Sequence, residues 1–65
     1  PESRQTGIKV GDVGQVISKL RPVGRARFGD ATVDVVAEGD FLDTGTMVEI
    51  IKIRGNKVVV RARNT

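Results

Sequence analysis

Nowhere in these 65 residues do apolar side chains recur at the i, i+3, i+4 spacing of an amphipathic helix over three turns. They alternate instead, with a period of two, between eight glycines. That pattern predicts short strands, each with one dry face and one wet face, joined by tight turns. A chain of 7.0 kDa makes one domain and buries only about 60% of the surface it would expose unfolded. With no covering helix, a flat sheet would leave its apolar face wet and both edges open, whereas a rolled sheet closes both.

Five strands are expected. The first runs from about Asp12 to Leu20, with Gly14, Val16, Ser18 and Leu20 inward and the small Gly14 and Ser18 allowing tight coiling. Pro22, which cannot donate to a ladder, ends it together with Gly24. Gly29-Asp30 then reads as a two-residue hairpin loop with glycine first. Its register sets Phe28 opposite Ala31, Ala26 opposite Val33 and Gly24 opposite Val35 on the inner face. Arg27 and Thr32, and Arg25 and Asp34, pair on the outer face. A second hairpin turns at Gly55-Asn56, with Ile53 facing Val58 and Ile51 facing Val60. A bulge near Ile50-Ile51 is needed to turn Val48 inward toward Ala62 and set Glu49 against Arg61 outside. Between the hairpins, the acidic stretch EGDFLDTG (38–45) carries Phe41-Leu42, expected to fold in as a plug at one end of the sheet. The strand count and the interruption after the third strand predict an all-β, five-stranded closed barrel of the OB-fold-like kind. An SH3-like barrel is the alternative. Residues 1–6 read as a polar lead-in and 7–65 as the barrel domain; a chain starting at Pro1 without Met is expected to be a piece of a longer one.

The net charge of +3 would by itself suggest an anionic partner, but its distribution argues otherwise. Residues 1–30 carry six basic and three acidic side chains, 31–51 carry five acidic and no basic ones, and 52–65 carry five basic and no acidic ones. Such segregation fits charge pairing across strands better than a dedicated phosphate-binding surface. Catalysis is disfavoured as well. There is no histidine and no cysteine, and Ser3 and Ser18 have neither a histidine nor an SxxK lysine beside them. Glu38, Asp40 and Asp43 lack the spacing of a calcium loop and read as a solvated acidic segment. Gly11 to Gly14 is too short and too acidic to cradle a phosphate. No cofactor and no metal are expected. The two aromatics, Phe28 and Phe41, are both assigned to the core, which leaves no stacking platform for single-stranded nucleic acid. No run of aliphatic residues approaches the roughly 20 that a membrane helix needs; Val58-Val59-Val60 stops at three.

With the strands placed, longer strings become informative. The spacing of Gly11, Gly14, Val16, Leu20, Arg21, Pro22 and Gly24, then DVVAEGDFLDTGTMVEI (34–50) and the closing GNKVVVRAR (55–63), resembles the C-terminal domain of NfeD-like membrane proteins. The resemblance covers about Gly7 to Arg63. It implies a five-stranded OB barrel tethered through transmembrane helices earlier in the full-length protein. The domain itself is expected in the aqueous phase, on the cytoplasmic side. Longer family members also carry a ClpP-like serine protease domain, of which no residue is present here. The resemblance implies no catalytic residue for this domain. It also implies association with stomatin- or flotillin-like (SPFH) membrane proteins, in membrane organisation or membrane-protein quality control.

The expected function is therefore a non-catalytic protein–protein interaction domain. Its candidate surface is Arg21, Arg25, Arg27, Asp34 and Glu38, with the 38–43 loop as a second possibility. The alternatives are an OB-type nucleic-acid binder, and contact with anionic lipid through Lys57, Arg61 and Arg63.

Overall fold

The computed structural model describes residues 7–39 and 41–63. Residues 1–6, assigned above to a lead-in, and Asp40 lie outside them. Five strands form: β1 (Val13–Ser18), β2 (Val23–Phe28), β3 (Ala31–Ala37), β4 (Met47–Arg54) and β5 (Lys57–Ala62). They close into a barrel in the order β1-β2-β3-β5-β4, with β4 returning to pair with β1. All neighbours are antiparallel except β3 and β5, which run parallel, Val36 beside Val59 and Ala37 beside Val60. This is the OB-like arrangement expected from the strand count.

The β2–β3 hairpin has the expected register, from Gly24–Val35 through Phe28–Ala31. Gly29 takes φ +65°, a left-handed conformation that glycine enters without a Cβ penalty, so the strands reverse within two residues. Inward alternation from all five strands, together with Leu20, fills the barrel. Val16, Leu20, Ala26, Phe28, Val33, Val35, Ala37, Val48, Ile50, Val58 and Val60 are buried, and no polar side chain among the described residues is buried with them. Gly14 sits where β1 passes over Phe28: a Cβ there would lie 2.6 and 2.7 Å from Phe28 ring carbons and nearer still to the Arg27 carbonyl oxygen. The tight coiling of β1 therefore requires a glycine at this position.

Three details differ from the sequence expectation. Ser18 faces solvent, because the β1–β2 register shifts between Val16 and Ser18 and sets Ser18 beside Arg25. The extra residue, Ile17, turns the end of β1 by one position, and Leu20 regains the interior two residues later. The β4 bulge exists, with Val48–Ala62 and Glu49–Arg61 paired as expected, but Ile51 is the extra residue and Ile50 takes the place opposite Val60. Ile50 is fully buried as a result, and Ile51 only partly.

The third difference is in the plug. Leu42 packs against the core and its backbone is locked to Leu20, each N–H donating to the other's carbonyl at 2.8 and 3.0 Å. Phe41 points the other way and is 69% exposed. In an extended pair, successive side chains leave on opposite sides, so only one of two neighbours can enter the barrel mouth. The smaller one does. Phe41 is thus not a core residue.

Candidate functional site

Because the interior is filled by side chains, any function must use the outer surface. Ser18 is exposed beside Arg25, and the chain has no histidine or cysteine to activate it. Among the described residues no group of three acidic side chains is arranged to hold a metal ion. The outer surface offers contact area and charge.

The expected surface residues fall into a definite geometry. Arg25 and Asp34 lie opposite each other on β2 and β3, and the Arg25 Nε donates to the Asp34 carboxylate at 3.1 Å. Arg27, one pair further along, stands between Thr32 and Gln15 and has no ion-pair partner among the described residues. Arg21 and Glu38 are exposed just beyond the facing ends of β2 and β3. Two further ion pairs brace the loops and edges of the sheet, Lys19–Asp43 at 3.7 Å and Arg63–Glu49 at 3.5 Å. The second lies in an open depression lined by Glu49, Arg61, Ala62 and Arg63.

Sequence reasoning missed what these charges surround. Val23 is 62% exposed and lies directly opposite Val36, and Val36 lies opposite Val59 on the parallel neighbour β5. Val36 and Val59 are half-buried and alternate with inward Val35, Ala37, Val58 and Val60. An outward apolar stripe therefore crosses three strands. Arg21 and Arg25 are two residues to either side of Val23, as Asp34 and Glu38 are of Val36, so four of the five expected residues rim the stripe. Phe41 belongs to the same end of the barrel. Its neighbour Leu42 bonds to Leu20, the Ala37 N–H donates to the Pro22 carbonyl at 2.8 Å, and the Glu38 N–H donates to the Val60 carbonyl at 2.8 Å. A local signal was available: Val35-Val36-Ala37 and Val58-Val59-Val60 break strict alternation by placing valines at outward positions. What no local pattern reveals is that β3 and β5, separated by a whole hairpin strand, lie side by side.

A closed strand barrel with a packed interior and a charged rim around an outward apolar stripe belongs to the class of small docking modules. The comparisons give that class a family. Residues 7–61 match the NfeD-like C-terminal, partner-binding domain, and the chain belongs to this family. A curated relative, Membrane protein NfeD1b of Bacillus subtilis (strain 168), is 40% identical over 52 residues, covering 80% of this chain. The chain corresponds to only 12% of that relative's length. Among solved structures, the C-terminal domain of stomatin operon partner protein 1510-C from Pyrococcus horikoshii superposes with a TM-score of 0.81. That match covers 86% of this chain and 89% of the other at 18% identity, a likeness of fold. No helix among the described residues is long and apolar enough to cross a membrane.

Proposed function

We propose that this chain is the non-catalytic docking domain of an NfeD-like membrane protein, held to the membrane by segments outside it and facing the cytoplasm. Its partner in this reading is a stomatin- or flotillin-like (SPFH) membrane protein, in membrane organisation or membrane-protein quality control. The family match over residues 7–61 carries the reading. The name of the structural neighbour, a stomatin operon partner protein, supports the choice of partner. The outward face of β2 and β3 supports the mode of binding: Arg21, Arg25, Arg27, Asp34 and Glu38 would select and orient the partner around Val23 and Val36.

Arg25 tests whether the rim binds or only stabilises. Its ion pair with Asp34 is exposed on both sides, so Arg25→Ala is expected to leave the fold intact. Co-purification of that variant with the stomatin-like protein of the same organism should be lost if the rim binds, and unchanged recovery would remove Arg25 from the surface. Phe41 favours a nucleic-acid reading in one respect, since a phenyl ring stands in solvent. A single ring does not make a stacking platform. Filter binding at low salt is expected to retain neither single-stranded DNA nor RNA.

A further inference from the structure

The apolar stripe does not end on β5. Val59 lies opposite Lys52 on β4, so the row Val23–Val36–Val59–Lys52 crosses four adjacent strands. At the turn end of the same hairpin Arg54 lies directly opposite Lys57, and both point outward with Lys52. Like charges facing each other across an antiparallel pair disfavour the hairpin that carries them. Nothing local relieves them: Lys52, Arg54 and Lys57 have no ion-pair partner among the described residues, and no carboxylate occurs from Ile50 to Arg63. Elsewhere on the barrel Lys19, Arg25 and Arg63 each have an acidic partner, and the other cations without one among the described residues, Lys9, Arg21, Arg27 and Arg61, are not set opposite a like charge as Arg54 and Lys57 are. Three unpaired cations thus adjoin one end of an apolar stripe.

We propose that this composite face, Lys52, Arg54 and Lys57 continued by Val59, Val36 and Val23, docks an acidic amphipathic helix of a protein partner. The surface deepens the docking function proposed above and rests on it. The face presents a row of side chains running across the strands rather than a backbone edge running along one, so a segment seated on it binds through side chains. Strands about 4.8 Å apart make the four-residue row at most about 14 Å long, measured along a barrel surface that curves. A helix rising about 1.5 Å per residue spans that length in about ten residues. Its first turn supplies Glu or Asp to the cations, and apolar residues at i, i+3 or i+4, and i+7 cover the three valines. Neutralising the Arg54–Lys57 opposition couples binding to relief of an unfavourable contact, so the cationic end contributes specificity as well as attraction.

The test uses the 65-residue chain labelled with ¹⁵N and a synthetic 14-residue helical peptide with a Glu-rich first turn and Leu at the apolar positions. Two control peptides replace the Glu residues by Lys, or the Leu residues by Ser. The Glu/Leu peptide should shift the amides of Lys52, Arg54, Lys57, Val59, Val36 and Val23, and should bind at least about tenfold more weakly to the Lys52→Glu/Lys57→Glu variant or to wild type in high salt. The Lys/Leu peptide should not bind, and the Glu/Ser peptide should bind more weakly. Amide shifts confined to another face, or undiminished binding to the double variant, would overturn the proposal. So would binding of phosphatidylserine vesicles without peptide binding, which would make the face a membrane contact. Co-purification with the stomatin-like protein separates this surface from the function it rests on. Retention by the double variant equal to wild type rejects the surface alone. Peptide binding at this face by a chain that retains no stomatin-like protein rejects the choice of partner alone.

Discussion

Phe41 and Leu42 are neighbours of similar hydrophobicity with opposite fates. Leu42 closes the barrel mouth against Leu20, while Phe41 stands in solvent. Leu42→Ala should therefore cost about 2 kcal/mol and lower the melting midpoint by roughly 10 °C in a domain this size. Phe41→Ala should stay within about 0.5 kcal/mol of wild type, as surface changes do. Thermal melts of the two variants check both. Composition could identify the pair as unusual in an acidic loop but not decide which member turns inward, because that depends on the Leu20–Leu42 pairing 22 residues apart. Gly14 is the converse case, legible as a small residue in a coiled strand and then explained by contact. Gly14→Ala would drive a methyl into the Phe28 ring and the Arg27 carbonyl, so it should cost about 3 kcal/mol or more by chemical denaturation.

At the level of elements, the two hairpins show what alternation can and cannot reveal. β2–β3 was legible residue by residue because a two-residue turn and an unbroken period of two leave a single register that hides the apolar set. In β4 the need for a bulge was legible from Glu49, which would otherwise face inward, but its place was not, since Ile50 and Ile51 are chemically identical. The shift that turns Ser18 outward had no signal at all, because Ile17 breaks no rule of composition. The β4–β5 hairpin also carries a testable conflict. Lys57→Glu would replace the opposed Arg54–Lys57 charges by an attractive pair and should stabilise the chain by up to about 1 kcal/mol, raising the melting midpoint by several degrees. The gain should shrink in 1 M salt, where screening shortens to about 3 Å. A rise in stability together with a loss of peptide binding would mark the opposed cations as kept for a partner.

For the whole molecule, the closed barrel is what joins distant segments into one surface. The parallel β3–β5 pairing sets Val36 beside Val59 and carries the stripe from a polar-rimmed hairpin to a cationic one. It is also why the barrel class was readable from strand count and punctuation while the outward stripe was not: the stripe depends on which strands become neighbours. The membership of residues 7–61 in a partner-binding family and the outward stripe bear on the same conclusion from independent directions. The most direct measurement is calorimetric titration of the 65-residue chain with the SPFH domain of the stomatin-like protein from the same organism. Saturable binding, weakened at least about tenfold by Lys52→Glu/Lys57→Glu with the melting midpoint undiminished, is the expected result. No binding at protein concentrations up to about 0.1 mM, a range that detects even weak complexes, would contradict it.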